Sequence, residues 1–288
     1  MQIDYRRRWA GVRRALRDAD ADAFVAVGAG NTRWLASAES PPGSPPSSTL
    51  NYVFVPQRGA PIGITSSLEG HRCRKEAGVR DLRLWSGYPD VGAEFASAKA
   101  ALKALLEERE VGSVLSDVAL RLQRGVAVER STAVRDLRAR KAPDEQERIR
   151  VAVRHADAGQ RFARELCEAG AGLTEFEVAA EIDYFLRRRG VQETSFTTIV
   201  ASGPNAAFSH HSPGRRRLRD GDSVICDFGA FWKGYCSDIT RTYFVGGSPA
   251  PKWRKRYALV LEANERSRAA LQHGAVAQDV DGAGRNFL

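Results

Sequence analysis

The sequence contains no uninterrupted apolar run of the roughly 18–20 residues that a membrane-spanning helix requires. Its first residues, Met1 to Trp9, are polar and rich in arginine, and the apolar core of a secretory signal peptide does not follow them. Both absences argue against a membrane partner and against secretion. We therefore expect a cytoplasmic protein.

Cysteine is scarce, and its spacing excludes a common class of metal site. The four cysteines are too widely separated to form a Cys-x-x-Cys pair: Cys73, Cys167, Cys226 and Cys236. This spacing argues against a structural zinc site. In a cytosolic protein, cysteines of this kind are expected to be free thiols.

Acidic residues are fewer than basic ones, and the imbalance is uneven. The chain holds 44 Lys and Arg against 35 Asp and Glu, and residues 1–142 hold 23 against 16. A basic excess can steer anionic partners or nucleic acid. However, arginine predominates throughout and no aromatic residues interleave the basic clusters. A solvated basic surface is therefore favoured, and we do not expect nucleic acid as a partner.

The first half alternates between strand and helix patterns. Apolar strands are predicted at 23–27, 50–56, 63–65 and 113–115, and helices at 5–18 and 96–109. Prolines at 41, 42, 45 and 46 exclude helix and central strand from residues 40–48, which predicts a surface loop there. This alternation predicts a mixed α/β domain over residues 1–138.

A second domain is predicted over residues 143–288. Pro143, followed by two acidic residues, is a helix-start signal, and Thr174 with Glu177 forms a capping box for a second helix. Strand patterns follow at 194–201, 223–228 and 235–245, and residues 253–271 return to helix. This order predicts two helices packed on a curved antiparallel sheet.

Two aspartates on one predicted hairpin carry the strongest chemical signal. A two-residue turn at Lys233-Gly234 would pair Trp232 with Tyr235 and Asp227 with Thr240. In that register Asp227 and Asp238 lie diagonally on one face of the hairpin, roughly 7–8 Å apart at the backbone. Their carboxylates can then converge on one point.

Converging carboxylates repel each other unless a cation lies between them. Carboxylate ligands suit Mn²⁺ and Mg²⁺, and sites that add histidine suit Mn²⁺, Co²⁺ or Zn²⁺. From spacing alone, a hairpin with two surface aspartates remains an equal alternative. A shift of one residue in register would put the two side chains on opposite faces.

Two adjacent histidines, His210 and His211, occupy a predicted loop before these strands. An imidazole over the aspartate pair could donate a hydrogen bond or move a proton near neutral pH. Taken alone, two loop histidines are more often simply exposed to solvent.

The run from Asp227 to Thr242 reads Asp-Phe-Gly-Ala-x₄-Gly-Tyr-x-Ser-Asp-Ile-Thr-Arg-Thr. It resembles the signature of the M24, or pita-bread, family, which includes aminopeptidase P, prolidase, methionine aminopeptidase and creatinase. The segment Gly203-x-Asn-x-x-x-x-His210 resembles the family's substrate loop. Weaker similarities lie at Asn31–Leu35, which resembles the creatinase-type N-terminal domain, and at Arg138–Ile149, which resembles the family's link between domains.

The resemblance implies an α/β creatinase-like N-terminal domain followed by an α+β pita-bread domain. It also implies an Xaa-Pro peptidase of the aminopeptidase P or prolidase type, a homodimer acting on peptides with proline at the second position. Asp227 and Asp238 would be ligands of two divalent metal ions, Mn or Co and alternatively Zn. His210 would be catalytic and would contact the substrate, with His211 as its substrate-binding neighbour.

The sequence departs from the family pattern after Asp238. The family adds a histidine, in a His-Gly-x-Gly-His run, and two glutamates, whereas this chain offers only His273, Glu262 and Glu265 on a predicted helix and its end. We therefore expect a fragment with an incomplete pita-bread domain, weak or no metal binding and no activity. The DNA beyond codon 288 is expected to encode the missing run.

Two other functions stay open at this point. A creatinase-like hydrolase uses this fold without metal, although the retained aspartates argue against that function. A non-catalytic binding protein is also compatible with the basic first half. Such relatives usually lose metal ligands one at a time, whereas here the later ligands are missing as a block.

Overall fold

The structure is a computed structural model that describes residues 3–36, 50–88, 93–170 and 172–288. The proline-rich segment 40–48, predicted as a surface loop, lies outside these residues. The chain divides into two compact units. The first comprises Met1–Arg154 with Ala230–Ser237, and the second comprises His155–Gly229 with Asp238–Leu288.

The first unit is built on a six-stranded mixed sheet with helices. Its helices are α1 (Tyr5–Asp18), α2 (Ala29–Ala36), α3 (Ser67–Glu76), α4 (Ala98–Glu108) and α5 (Ala133–Ala139). Its sheet strands are β1 (Ala23–Ala26), β2 (Tyr52–Pro56), β3 (Ile62–Ser66), β4 (Asp81–Trp85), β5 (Ser113–Ser116) and β6 (Ala127–Arg130).

The sheet has the strand order β4-β3-β2-β1-β5-β6. The pairs β1/β2 and β2/β3 are antiparallel, whereas β3/β4, β1/β5 and β5/β6 are parallel. Sequence patterns located α1, β1, the β2/β3 hairpin, α4 and β5. They missed α2, α3, β4, α5 and β6, which are short and polar or lack a clear apolar period.

Both faces of this sheet are covered, which explains why β1 is apolar throughout. Phe24 and Ala26 face a cluster that includes Val12 and Leu16 of α1. Ala23 and Val25 face the opposite cluster, to which α4 contributes the buried side chains Ala101, Leu102, Leu105 and Leu106. Successive residues of a strand point to opposite faces, so β1 contributes to both cores.

A buried polar network lies within the first unit around Glu145. Its Oε1 atom accepts hydrogen bonds from Trp34 Nε1 (2.9 Å) and Tyr235 Oη (2.8 Å), and it lies 3.4 Å from Arg8 Nη2. Its Oε2 atom accepts from the backbone N–H of Ala142 (2.9 Å). Burial alone would raise the pKa of Glu145, but these hydrogen bonds and the Arg8 charge lower it below its ordinary value.

The second unit combines helices with a three-stranded antiparallel sheet. Helix α6 (Pro143–Ala169) begins at the predicted proline, and it continues beyond Arg154 into this unit. The elements that follow α6 along the chain are α7 (Glu175–Arg188), β7 (Glu193–Thr194), β8 (Ile199–Ser202), β9 (Ser223–Phe228), β10 (Ala230–Trp232), β11 (Tyr235–Cys236), β12 (Ile239–Phe244), α8 (Pro251–Ala270) and α9 (Ala277–Arg285). Two of these strands, β10 and β11, belong to the first unit, and the other elements belong to the second.

In this unit α6 packs closely against α7 and β9. A Cβ atom at Gly159 would lie 2.8 Å from a ring carbon of Phe228 and 3.1 Å from a methyl group of Leu186, so only glycine permits this approach. The buried Gln160 amide donates to the carbonyls of Cys226 (3.2 Å) and Ile239 (2.6 Å). The apolar faces of both helices therefore cover one side of the sheet β12-β9-β8.

The prediction of a single strand over residues 194–201 is wrong. The structure has the two strands β7 and β8, and residues 195–198 between them leave the ladder. There the Thr198 hydroxyl donates to Asp183 of α7.

Two other predictions are confirmed. The capping box at Thr174 and Glu177 is present, and all four cysteines are free thiols.

The predicted domain limits, 1–138 and 143–288, stay a prediction.

Among the described helices, none is both long enough and apolar enough to cross a bilayer.

Replacing Glu145 with alanine should destabilise the chain strongly. The change removes the closer carboxylate of Arg8, whose side chain is 4% exposed, and leaves it only the 4.0 Å contact with Asp144; the loss of a partner from a buried pair costs about 3–5 kcal/mol. Chemical denaturation monitored by circular dichroism measures the free energy of unfolding. Glu147→Ala on the exposed face of the same helix is the control and should leave it unchanged. Equal effects of the two substitutions would contradict the role given to the buried network.

Candidate functional site

The hairpin between β9 and β12 has the register expected from its turn. Lys233 and Gly234 both have positive φ angles, 46° and 87°, as a two-residue type I′ turn requires. Trp232 pairs with Tyr235 at the tip, and Thr240 pairs with Asp227 in the ladder. The register that would have put the two aspartates on opposite faces is therefore excluded.

The two faces of β9 differ in burial. Val224, Cys226 and Phe228 are buried, whereas Ser223, Ile225 and Asp227 are only half-buried. Ser223, Ile225 and Thr240 also line a cavity of about 1000 Å³, whose other walls include apolar residues of α8. Asp227 therefore belongs to the open face of the sheet.

Asp227 and Asp238 lie close enough to interact directly. Burial raises the pKa of Asp238, and the like charge of Asp227 and a hydrogen bond with Asp227 raise it further. Thr240 Oγ1 donates to Asp227 Oδ1 at 2.7 Å and so helps to orient that carboxylate. Mutual repulsion of this kind is relieved when a cation lies between two carboxylates.

These two carboxylates fit part of a site for a divalent cation, because their oxygens are the ligands that Mn²⁺ and Mg²⁺ favour. Within the described ranges, no cluster of three or more His, Cys, Asp and Glu side chains could hold a metal ion. Glu262 lies on α8 and forms an ion pair with Arg266 at 2.8 Å. The metal-ligand roles of Asp227 and Asp238 stay a prediction.

The loop that carries the two histidines is anchored by a residue that the sequence interpretation missed, Glu175. This residue is fully buried at the start of α7. Its Oε1 atom accepts from Ser202 N (2.8 Å), Ser202 Oγ (2.7 Å) and Asn205 Nδ2 (2.9 Å). Its Oε2 atom lies 2.8 Å from His211 Nε2 and accepts from Gly214 N at 3.1 Å.

Hydrogen bonding dominates the electrostatics of Glu175. Burial alone would raise its pKa, but the hydrogen bonds from His211, Ser202 and Asn205 outweigh burial and lower the pKa to about 2. The ionised carboxylate therefore joins α7, the end of β8 and the loop from Gly203 to Gly214. A neutral side chain could not satisfy the same set of donors.

A second anchor fixes the beginning of this loop. Arg216 donates to both carboxylate oxygens of Asp222, at 2.7 and 3.1 Å, and to Ser202 Oγ at 2.6 Å. Gly203 has a φ angle of 52°, and a Cβ atom there would lie 2.6 Å from Arg216 Nη2. Both the backbone conformation and the close guanidinium require glycine at this position.

The structure treats the two histidines differently. His211 is bound to Glu175, whereas His210 is exposed and forms no side-chain hydrogen bond within the described part of the chain. Glu175 could have been recognised from spacing, because it precedes Val178 and Ile182 by three and seven residues. That spacing puts a charged residue on the buried face of α7. The catalytic role of His210 and the substrate-binding roles of both histidines stay predictions.

Comparison with known proteins adds independent evidence. Residues 147–288 match the sequence profile of the family described as metallopeptidase family M24. An Xaa-Pro dipeptidase of Pyrococcus furiosus is 39% identical over 155 residues, which are 54% of this chain and 44% of that protein. The chain therefore spans less than half the length of the curated relatives it matches.

Solved structures extend the similarity to the whole chain. Recombinant prolidase from Thermococcus sibiricus aligns with a TM-score of 0.81 at 26% identity, over 100% of this chain and 78% of that one. X-Pro aminopeptidase from Thermotoga maritima aligns with a TM-score of 0.83 over 97% and 76%, and at 22% identity it supports the fold alone. The predicted fold class, an α/β creatinase-like N-terminal domain followed by an α+β pita-bread domain, is confirmed.

Replacing Glu175 with glutamine should destabilise the second unit and release the histidine loop. The amide group of glutamine cannot accept all the hydrogen bonds that the carboxylate accepts, and we expect a loss of about 3 kcal/mol. Denaturant unfolding gives the free energy, and hydrogen exchange at residues 203–214 reports the loop. Glu181→Gln, an exposed change on the same helix, is the control. Unchanged exchange in the loop would contradict the anchoring role.

The same carboxylate should make stability depend on acid pH. The pKa of Glu175, about 2, lies below its ordinary value of 4.5, so ionisation favours folding. Its contribution is complete above about pH 4.5 and is lost as the pH falls through about 2. Unfolding free energies measured between these values should decline less steeply in Glu175→Gln than in the parent chain. Parallel curves would show that Glu175 does not titrate as the structure requires.

Proposed function

We propose that this chain, which belongs through residues 147–288 to metallopeptidase family M24, is an Xaa-Pro peptidase of the dinuclear-metal type. The observation that carries this proposal is the interacting carboxylate pair Asp227 and Asp238 on the open face of one hairpin. The Xaa-Pro dipeptidase that is 39% identical to this chain supports the substrate class, a peptide with proline at the second position.

Asp227 and Asp238 would hold the divalent ions, which we propose to be Mn or Co, with Zn as the alternative. When bound, such ions polarise a scissile carbonyl and lower the pKa of water. Thr240 would keep Asp227 in a fixed orientation through its 2.7 Å hydrogen bond. Two carboxylates give few ligands, and ligand number largely sets affinity, so we expect this chain to bind metal weakly.

The histidine loop would receive the substrate. Its ends are fixed by Glu175 and by the pair Arg216 and Asp222, which limits the freedom of the segment between them. His210, exposed in that segment, would donate a hydrogen bond to the negative charge that develops on the substrate. His211, bound to Glu175, would position its neighbour and contact the peptide.

The retained aspartate pair favours this function over a creatinase-like hydrolase, which uses no metal. It also favours it over a non-catalytic binding protein, because a protein without metal chemistry has no need of two facing carboxylates. A homodimer and a cytoplasmic location belong to the proposal. Free thiols at all four cysteines are compatible with a reducing compartment.

Metal titration tests the proposed ligands. Isothermal titration of the 288-residue chain with Mn²⁺ should give weak binding, and Asp227→Asn or Asp238→Asn should remove it because each deletes one of two charged ligands. Asp220→Asn, an exposed change outside the pair, should bind Mn²⁺ like the parent. Equal binding by all four proteins would refute the metal role of the aspartates.

Activity assays test the reaction. With Mn²⁺, Co²⁺ or Zn²⁺, the chain should show no appreciable hydrolysis of Xaa-Pro dipeptides, because two carboxylates hold the ions too weakly. Turnover that disappears in Asp227→Asn would show that these ligands suffice and would contradict the expected inactivity. Hydrolysis of Xaa-Ala in preference to Xaa-Pro dipeptides would contradict the proposed substrate class.

A further inference from the structure

One buried side chain of α6, Gln160, contacts both strands that carry the aspartate pair. Its Nε2 atom donates to the carbonyl oxygens of Cys226 on β9 (3.2 Å) and of Ile239 on β12 (2.6 Å). The first carbonyl belongs to the peptide bond that precedes Asp227, and the second to the peptide bond that precedes Thr240. A single amide group therefore fixes the peptide planes next to both residues.

These two peptide planes lie at the same level of the hairpin. Thr240 pairs with Asp227 in the ladder and donates to its Oδ1 atom at 2.7 Å. Asp238 directly precedes Ile239, so the contact on β12 also limits where the second carboxylate can lie. Gln160 reaches the strands from the helix-covered face of the sheet. It therefore orders the strands without occupying the open face to which Asp227 belongs.

The orientation of this amide group is fixed by Tyr243. The Tyr243 hydroxyl lies 2.9 Å from Gln160 Oε1 and 2.8 Å from the Gln160 backbone oxygen. An amide rotated by 180° would direct its oxygen at the two strand carbonyls, so the N–H groups must face the strands. Burial raises the pKa of Tyr243, which keeps its hydroxyl protonated and able to donate.

Gln160 is the polar exception on an apolar helix face. It is 5% exposed, and Ala156, Ala163 and Cys167 on the same face of α6 are also buried. Gly159 lets the helix approach the sheet, because a Cβ atom there would lie 2.8 Å from a ring carbon of Phe228. An apolar side chain would fill the position without the cost of burying an amide group. The hydrogen bonds of Gln160 therefore point to its role.

We propose that Gln160 is a positioning residue for the metal pair, and that its amide group sets the relative positions of Asp227 and Asp238 through the strand backbone. This role rests on the proposed function, in which both aspartates hold metal ions. Loss of a group that orients a metal ligand weakens metal binding by about 10–100-fold. Thr240 contacts Asp227 directly, whereas Gln160 acts through the backbone, so its effect belongs at the lower end of that range.

Hydrogen exchange of the metal-free 288-residue chain tests the positioning without relying on the proposed function. Gln160→Met keeps the length of the side chain and removes both donors. The amides of residues 226–228 and 239–241 should then exchange several-fold faster, and by a larger factor than residues 199–202 of β8 in the same sheet. Cys167→Ala is the matched control, because its Sγ atom contacts the Cys226 side chain (3.6 Å) and no strand carbonyl. It should affect the three strands evenly.

Manganese titration monitored by electron paramagnetic resonance tests the consequence for the metal pair, because the signal of free Mn²⁺ falls on binding. Gln160→Met should bind Mn²⁺ roughly tenfold more weakly than the parent, and Cys167→Ala should bind like the parent. Thr240→Val removes the direct hydrogen bond to Asp227. Combined with Gln160→Met, it should weaken binding by less than the product of the two single effects, because both act on one carboxylate.

The outcomes separate this role from a purely structural one. If Gln160→Met does not fold, Tyr243→Phe replaces it, with the same pattern and a smaller effect. Unchanged Mn²⁺ affinity in the folded variant, or exchange raised evenly as in Cys167→Ala, would overturn the positioning role. A parent chain that does not bind Mn²⁺ would refute the proposed function, and strand exchange would still decide whether Gln160 positions the two aspartates.

Discussion

The register of one hairpin determines whether this protein has a metal site at all. The Lys233-Gly234 turn fixes which residues of β9 and β12 lie opposite each other, and Asp227 then pairs with Thr240. A shift of one residue would move Asp227 or Asp238 to the helix-covered face, where Phe228 and Cys226 are buried. The positive φ angles of Lys233 and Gly234 therefore decide whether the side chains of Asp227 and Asp238 lie on the same face of the hairpin.

The open face of this hairpin is useful only if the loop beside it is ordered, and the buried Glu175 provides much of that order, together with the pair Arg216 and Asp222. The buried Glu175 carboxylate loses its hydrogen bonds with water, and hydrogen bonds with Ser202, Asn205, His211 and Gly214 replace them. Such networks are costly when partly satisfied and rigid when complete. Complete satisfaction of this carboxylate, with the second anchor at Arg216, explains how the loop from Gly203 to Gly214 holds one conformation.

The two units use charge in different ways. In the second unit, carboxylates form the proposed metal pair and the anchor of the loop. In the first unit, the buried guanidinium of Arg8 and the buried carboxylate of Glu145 lie 3.4 Å apart within one hydrogen-bonded network. The basic excess of residues 1–142 is therefore not distributed solely over a solvated surface. Part of it is organised by neutral partners such as Asn31.

The sequence by itself determined the elements with strong local signals. Pro143 predicted the start of α6, Thr174 with Glu177 predicted the cap of α7, and the Lys233-Gly234 turn predicted the register of the hairpin. These features depend on residues only a few positions apart, so a single sequence records them. Short elements such as α2 and β4 were missed because their stability comes from packing against distant segments.

Tertiary structure alone decided the contacts between distant residues. The partners of Glu175 are 27 to 39 residues away along the chain, and Arg138 meets Asn31 across 107 residues. β7 and β8 likewise belong to different sheets, and in the interruption between them Thr198 donates a hydrogen bond to Asp183 of the preceding helix. The spacing of apolar residues places Glu175 on the buried face of its helix. Only the folded chain specifies which groups donate hydrogen bonds to its carboxylate, because packing brings those groups together from distant parts of the sequence.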